Sequence, residues 1–355
     1  MDFSLTESAE AVRDLAERIF GDRATVERVR QVEGGTDRVD RELWADLAGA
    51  GLLGVLVPAE GGGAGLGVVE LCLLLEQQGR RVAPVPVLWH ALAAGALSRF
   101  GTPPGEDVLT VALAEWGDAD PHRTSVRAAT DGDGWRLDGS KPVVPAAHVA
   151  SRVLVPALTS GGEVVVTVVD PNGPGAELVR SEATNREVVS ELILSGAPAR
   201  SLGGAEVLDW LVPRALLGVC ALQVGVAEEA LRLTAEYTSQ REQFGRPLST
   251  NQGVALRAAD AYIDVEAMRV TMLLAAWRLD SDGEAPAEVE VGKWWASEGG
   301  SRVVHATQHL HGGMGADVDY PIHRYFLWGK QLENTLGGAS AWLARLGARL
   351  AEAHR

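Results

Sequence analysis

The sequence predicts an α+β protein in three parts: an α-helical domain over residues 1–104, an all-β domain over 105–205 and a helical bundle over 206–355. Apolar residues recur at helical spacing through the first hundred positions. Short β-branched runs between Gly, Asp and Pro clusters follow them. Long apolar stretches at helical spacing return after residue 206, and these changes of pattern set the predicted boundaries.

Four helices are predicted in the N-terminal domain. In the first, over residues 4–20, Ser4 and Glu7 form a capping box, and Val12, Leu15 and Ile19 share one face. The other three helices cover residues 40–51, 68–78 and 89–100. The segment from Gly101 to Glu106 reads as a linker because of its Pro and Gly content.

The middle domain is predicted from β-branched runs at residues 108–113, 153–155 and 164–169. Asp131 to Gly134 predict the turn of a hairpin. In the C-terminal domain, apolar helical stretches cover residues 216–233, 291–310 and 338–353. A further helix is indicated by a seven-residue recurrence of Leu256, Ile263, Val270 and Trp277. Short connections between four such helices favour an antiparallel bundle.

Composition excludes several classes of partner. A net charge of -16 repels nucleic acid and anionic lipid surfaces, and no basic patch offsets it. No signal peptide and no apolar run long enough for a bilayer span is present, so we expect a cytoplasmic protein without membrane contact. The two cysteines, Cys72 and Cys220, lie in apolar stretches and are expected to be buried thiols.

The string Arg241-Glu-Gln-Phe244-Gly245-Arg-Pro-Leu248, followed by Gln252, lies between two long apolar stretches. An arginine fork beside an amide side chain can hold a pyrophosphate through two hydrogen bonds. The alternative is an ordinary loop between helices with solvated surface charges. The string therefore predicts a candidate anion-binding bend.

A second string, Gln308-His-Leu-His311-Gly312-Gly313-Met-Gly315, places glycines at a predicted helix end. Glycine lets backbone amides approach a cofactor closely because it has no Cβ. His305 and His309, one helical turn apart, suggest a metal pair instead. No Asp or Glu stands at a spacing that completes such a site, so we expect no metal.

Both strings resemble signatures of the acyl-CoA dehydrogenase family, as do the turn at residues 57–66 and the segment 320–324. The resemblance spans nearly the whole chain. It implies a β-barrel-like middle domain, a C-terminal four-helix bundle and an FAD bound across a subunit interface. The FAD contacts that it implies in this chain are Arg241, Phe244, Gln252, Gln308, Gly312 and Gly313.

The sequence departs from this family at the catalytic base. The family's chemistry needs a carboxylate that removes a proton while a hydride passes to the flavin. Counting along the resembling strings puts Leu336 at one of the family's two base positions and Ala215 at the other. Glu333 is the candidate base if the loop register differs. Glu206 and Asp209 are further carboxylates, more typical of helix caps.

The middle domain departs as well. Strings that touch the flavin in the family correspond here to residues 114–117 and 143–146, where Pro145 offers neither hydroxyl nor N–H. A homologous subunit that supplies the base and the flavin pocket would explain both losses. The chain thus resembles one subunit of the α2β2 heterotetrameric dehydrogenases that act on steroid side-chain acyl-CoA substrates. The alternatives are a non-catalytic scaffold and a flavin monooxygenase or oxidase on the same fold.

Overall fold

The computed structural model describes residues 4–101, 105 and 107–353, so most of the predicted linker lies outside the described residues. The helices are α1 (Glu7–Arg23), α2 (Val26–Glu33), α3 (Arg41–Gly49), α4 (Val68–Arg81), α5 (Val87–Phe100), α6 (Ala205–Gln240), α7 (Gln252–Asp282), α8 (Pro286–Leu310), α9 (Ile322–Asn334) and α10 (Ala339–Ala353). The strands are β1 (Leu109–Val111), β2 (Arg127–Asp131), β3 (Gly134–Pro145), β4 (Arg152–Thr159), β5 (Val164–Val169), β6 (Ala176–Glu182), β7 (Val188–Gly203), β8 (Glu242–Gln243) and β9 (Arg246–Pro247). The predicted order of helical, β and helical regions is confirmed.

The N-terminal helices differ from the prediction in two details. The N-cap of α1 is Thr6, whose hydroxyl accepts a hydrogen bond from the Ala9 amide at 3.2 Å, so the predicted Ser4–Glu7 capping box is wrong. The short helix α2 was not predicted. Of its residues only Val29 is buried, and one apolar position gives no helical period to detect.

The middle region forms a sheet that closes on itself. Strand β4 pairs with both β2 and β5, while β3 and β7 complete the ring of strands. Its interior is filled by small apolar side chains such as Val126, Leu137 and Val155. The predicted hairpin turn is present, since Asp131 pairs with Gly134 where β2 meets β3. This closed path agrees with a barrel-like middle domain.

The C-terminal region contains one helix more than the sequence suggested. Helix α9 lies in a segment to which the sequence analysis assigned no helix. Helix α6 is long and apolar enough to cross a membrane by length and composition, but 83% of its most apolar window is buried inside the protein. Such burial is typical of the core helix of a soluble fold.

The described chain divides into two compact units. One takes the residues up to 29, residues 68–83 and those from 217 onward, and the other takes residues 30–67 and 84–216. Helices α1 and α4 thus group with the C-terminal helices, which local sequence patterns do not indicate. The predicted boundaries at 104/105 and 205/206 stay predictions.

Helices α4 and α6 pack with their backbones in contact. A Cβ added to Gly225 would lie 2.0 Å from the Glu76 carbonyl oxygen, and one added to Gly79 would lie 2.3 Å from that of Leu222. Cys72 also faces α6, where its thiol approaches the Leu217 carbonyl at 3.8 Å. Both cysteines are buried and free, as expected. This crossing fixes α6, whose C-terminal end leads into the candidate site.

Candidate cofactor-binding site

A two-residue hairpin joins α6 to α7. Its turn residues, Phe244 and Gly245, have φ values of 55° and 77°, the left-handed pair that tight hairpins require. The backbone is anchored at Arg241, whose amide donates to the Tyr237 carbonyl at 2.8 Å and whose carbonyl accepts from the Leu248 amide at 2.9 Å. The hairpin therefore holds Arg241 in a defined place at the end of α6.

The predicted contact residues of this hairpin all face solvent. The Arg241 guanidinium has no hydrogen-bond or ion-pair partner among the described residues, and the Phe244 ring is fully exposed. Gln252 is the first residue of α7 and is exposed as well. A fully exposed phenylalanine on a fixed turn is typical of a surface that meets another molecule.

The turn after α8 is open in the same manner. Gly312 has φ 58°, and a Cβ added to Gly312 or Gly313 would meet nothing within 4 Å. Gly315, in contrast, is buried, and its Cβ would lie 2.7 Å from the Gln308 carbonyl oxygen. The first two glycines leave room for a ligand, whereas the third is needed for packing.

Gln308 is partly committed to this turn. Its amide nitrogen donates to the Gly315 carbonyl at 2.5 Å. Its amide oxygen is buried and has no partner among the described residues. A buried acceptor without a donor is uncommon, because losing its hydration is costly. Gln308 thus stabilises the turn and has one acceptor left for a ligand or a water molecule.

An aromatic stack joins the two predicted segments, and the sequence analysis missed it. The Tyr237 ring stacks on His311 with centroids 4.6 Å apart, and Tyr320 packs against both rings. Tyr237 lies one turn before Arg241, and His311 immediately precedes Gly312. The hairpin and the glycine turn therefore lie at the same end of this unit. Aromatic and His positions beside both motifs were the available signal.

His311 adds a second buried acceptor. Its Nδ1 donates to the Thr307 carbonyl at 2.8 Å, and burial lowers the pKa of the ring. In that tautomer Nε2 is an acceptor, and it has no partner among the described residues. Neutral His311 and the Gln308 oxygen therefore both lie buried within one turn of helix.

These groups fit the FAD that the resemblance implies. A pyrophosphate needs a fixed cation, and Arg241 supplies an unpaired guanidinium on a rigid hairpin. Close approach of a nucleotide to backbone needs a turn without side chains, and Gly312 and Gly313 provide it. Hydroxyl and amino groups of a nucleotide need acceptors, and Gln308 has one available.

The histidine pair that the sequence analysis considered and rejected as a metal site is exposed on α8. His305 and His309 line a cavity of about 700 Å³ between α7 and α8, together with Arg257 and Asp260. Within residues 4–101, 105 and 107–353, no group of three or more His, Cys, Asp or Glu side chains is arranged to hold a metal ion. His305 instead packs edge-on against Phe326 at 5.0 Å.

The loop after α9 contains Leu336, which the resemblance puts at one of the family's two base positions. Leu336 has φ 57°, a strained conformation for a branched side chain, and Gly337 follows with φ 99°. The Glu333 carboxylate forms an ion pair with Lys330 on the same helix. That pairing holds the candidate base on its own helix. The spacing of three residues that produces it is visible in the sequence.

The other candidate positions carry no unengaged buried carboxylate. Ala215 is fully buried within α6. The exposed Glu206 accepts a hydrogen bond from the Gly204 amide at 2.8 Å, which lowers the pKa of its carboxyl group. Asp209 is exposed and lies 4.0 Å from His122. Glu206 thus caps the start of α6, as its position suggested.

A buried ion pair joins Glu115, in the first of the two departing strings, to Lys141, which lies two residues before the second. Lys141 on β3 bonds to Glu115 and also donates to the Thr124 hydroxyl at 3.1 Å. The Ser125 hydroxyl donates to the other Glu115 oxygen at 2.6 Å. Next to this pair, Trp116 is 65% exposed. The sequence analysis missed Lys141, although it is one of only three lysines in the chain.

Sequence comparison matches two family descriptions to the chain. "Acyl-CoA dehydrogenase, N-terminal domain" matches residues 6–106, and "Acyl-CoA dehydrogenase, C-terminal domain" matches residues 203–351. Together they cover more than half of the chain. Among curated proteins, acyl-CoA dehydrogenase FadE27 of Mycobacterium tuberculosis is 41% identical over 375 residues, with 99% of each chain covered.

Two solved structures are similar over their full length. The Tcur3481-Tcur3483 steroid ACAD G363A variant is 49% identical with a TM-score of 0.93, covering 98% of this chain and 99% of that chain. The ChsE4-ChsE5 complex from Mycobacterium tuberculosis is 42% identical, also with a TM-score of 0.93, and 99% of each chain is covered. Both names describe assemblies of two different chains.

Proposed function

The chain belongs to the acyl-CoA dehydrogenase family, and we propose that it is the subunit of a heteromeric enzyme that helps to bind FAD but supplies no catalytic base. The reaction is the α,β-dehydrogenation of an acyl-CoA thioester. FAD, when bound, accepts the hydride in that chemistry. The residues of this chain hold the cofactor and the partner subunit.

The observation that carries this proposal is the Arg241 guanidinium, which has no partner among the described residues and lies on an outward-facing hairpin. Arg257 is likewise exposed and without such a partner, but Arg241 differs in that a hairpin fixes its backbone beside the glycine turn. Here its backbone is fixed and its charged group is left available, as a binding site for a partner's diphosphate requires. Phe244, Gln252, Gln308, Gly312 and Gly313 complete the proposed set of FAD contacts.

The residues at the two positions where the resemblance implies a base support a division of labour between subunits. Leu336 cannot accept a proton, and Glu333 is held by Lys330. A general base contributes about 10²–10⁴-fold to such a reaction, so an enzyme without one would be very slow. We therefore place the base on a homologous subunit that also holds the greater part of the flavin.

An exposed apolar stripe on α7 supports a protein partner. Leu256, Ile263, Val270 and Trp277, the seven-residue recurrence of the sequence, are each between 42% and 62% exposed. Apolar side chains at this spacing are typical of a seam between helices. We propose that the stripe packs against the homologous subunit in an α2β2 heterotetramer. The heteromeric assemblies among the similar structures support this choice.

The substrate class follows from the same relatives. A steroid dehydrogenase stands among the structures similar to this chain, and we propose that the acyl group is a steroid side chain carried as its CoA thioester. Binding of such a substrate would take place in the assembled complex, in the cytoplasm. Neither nucleic acid nor a membrane surface is proposed as a partner, because the chain is strongly acidic.

Co-expression separates this function from its rivals. The chain is produced alone and with each homologous subunit of the same organism, and flavin absorbance and oxidation of a steroid acyl-CoA are measured. We expect a colourless, inactive chain alone and a yellow, active complex. A yellow and active homo-oligomer would overturn the proposal. An active complex whose flavin content does not depend on Arg241 would favour the scaffold, and a requirement for oxygen with reduced pyridine nucleotide would favour the monooxygenase.

A further inference from the structure

Lys293 on α8 is a fully buried ammonium group whose hydrogen bonds go to neutral acceptors. It donates to the Ser297 hydroxyl at 2.8 Å and to the carbonyls of Leu332 and Glu333 at 3.4 and 3.2 Å. The Ser297 hydroxyl donates to the same Glu333 carbonyl at 2.9 Å. The Glu333 carboxylate bonds to Lys330 instead. The donors of Lys293 are thus directed at the last turn of α9.

A buried charge of this kind is costly, so its surroundings must compensate for it. Burial lowers the pKa of Lys293 to about 8, while the Glu333 carboxylate on α9 acts in the opposite direction. Carbonyls at a helix C-terminus carry partial negative charge and lack intrahelical donors. Lys293 supplies the end of α9 with a positive charge and with hydrogen-bond donors.

The loop that follows α9 bends at a residue with a strained backbone. Thr335 is the C-cap of α9, and Leu336 with φ 57° is the next residue. A leucine persists in this conformation only where neighbouring contacts impose it. On the far side, the Trp342 indole of α10 donates to the Leu336 carbonyl at 3.0 Å. The bend therefore lies between two anchors, the Lys293–Ser297 pair and Trp342.

We propose that Lys293 is a positioning residue, which together with Ser297 fixes the end of α9 and so holds Leu336 in one place. The anchoring itself depends only on contacts within this chain. Its meaning for catalysis rests on the proposed function, in which Leu336 stands where the family carries its base. A loop fixed in this way keeps the apolar Leu336 side chain, and no carboxylate, at that position of this chain.

The test compares Lys293→Met with Lys330→Met in the full-length chain, purified in whatever assembly it forms. Methionine has a similar length and volume, so Lys293→Met removes the donors without leaving a large cavity. Lys330→Met removes a nearby lysine that pairs with the Glu333 side chain rather than with the helix end. Ser297→Ala is a milder second variant if Lys293→Met does not fold.

Amide hydrogen exchange over residues 331–342 gives the first result. We expect exchange to be at least about tenfold faster in Lys293→Met and faster to a smaller extent in Ser297→Ala, because charged hydrogen bonds to the helix end are lost. Lys330→Met should match the wild type.

The second result is a spectroscopic signature of Trp342. With 5-fluorotryptophan incorporated and the Trp342 line assigned from Trp342→Phe, we expect one sharp ¹⁹F resonance in the wild type. Lys293→Met should shift or broaden it. Unchanged exchange and an unchanged line in a folded Lys293→Met protein would overturn the proposal. Both measurements are independent of FAD, so failure of the proposed function would appear separately as a complex without flavin.

Discussion

The hairpin between α6 and α7 and the loop between α9 and α10 use their polar groups in opposite ways. The hairpin leaves the Arg241 guanidinium and the Phe244 ring without partners in the part of the chain that the structure describes. Next to the loop, the polar groups bond to each other: Lys330 pairs with Glu333, and Lys293 donates to the end of α9. The loop itself carries Leu336 at the position where the resemblance implies a base.

This contrast agrees with the proposed division of the chemistry between subunits. A guanidinium without a partner among the described residues lies at one place, whereas the described Lys and Glu side chains at the other are engaged with each other or with the end of α9. A chain built in this way can contribute to cofactor binding while another subunit carries out the proton transfer.

The apolar stripe on α7 should be required for assembly. Changing Ile263 and Val270 together to Glu buries two charges in the proposed seam, so we expect the affinity for the partner subunit to fall by at least about 100-fold. Both side chains are exposed in the chain itself, so its fold should not change. Sedimentation velocity of the co-expressed proteins measures the effect. Val179→Glu on β6, at a similarly exposed apolar position, is the control, and assembly as in the wild type would refute the seam.

Arg241→Ala should remove FAD from the assembled complex. Truncating one partner of a desolvated charge pair costs about 2 kcal/mol or more, which corresponds to at least about 30-fold weaker binding. The measurement is a fluorescence titration of the flavin-depleted complex. Arg257→Ala, another exposed arginine without a partner among the described residues, should bind FAD normally. Equal affinities of the two variants would contradict a direct contact.

The two kinds of glycine in the turn after α8 should separate binding from folding. Gly313→Ala meets no neighbouring atom, so the melting temperature should stay the same while FAD binds about fivefold more weakly. Gly315→Ala places a Cβ against the Gln308 carbonyl and should cost about 1–3 kcal/mol of unfolding free energy. Calorimetry and flavin titration of both variants check this pattern. A destabilised Gly313→Ala protein would show that the turn is not open.

Glu333→Gln should have the smallest effect. Because the Glu333 carboxylate is engaged by Lys330, we expect turnover of the complex to stay within about twofold of the wild type. Loss of a true base would lower turnover by about 10²-fold or more. Steady-state kinetics with an acyl-CoA substrate distinguish the two cases, and the larger loss would mean that this chain carries its own base.

Local patterns revealed the fold and located the two strings for which FAD contacts are proposed. The helical spacing before residue 100, the β-branched runs and the glycines after Gln308 each act over a few residues, so the sequence displays them directly. The recurrence on α7 was a correct sign of a helix. Spacing alone cannot tell whether such a stripe faces the core or a partner, and here it faces outward.

The side-chain contacts that build the candidate site connect residues far apart in the sequence. Tyr237 meets His311, and Lys293 meets Glu333, through packing that no local period encodes. The Ser4–Glu7 capping box failed because Thr6 offered a competing hydroxyl one turn from the Ala9 amide. In contrast, the pairing of Lys330 with Glu333 could have been anticipated from their spacing.

Photoaffinity labelling with 8-azido-FAD tests most directly whether this chain contacts an FAD that is bound mainly by another subunit. After irradiation of the assembled complex, peptide mass spectrometry should find label on residues 241–252 or 308–316 of this chain. The isolated chain should remain unlabelled at the same FAD concentration. Label confined to the partner subunit, or equal labelling of the isolated chain, would contradict the shared site.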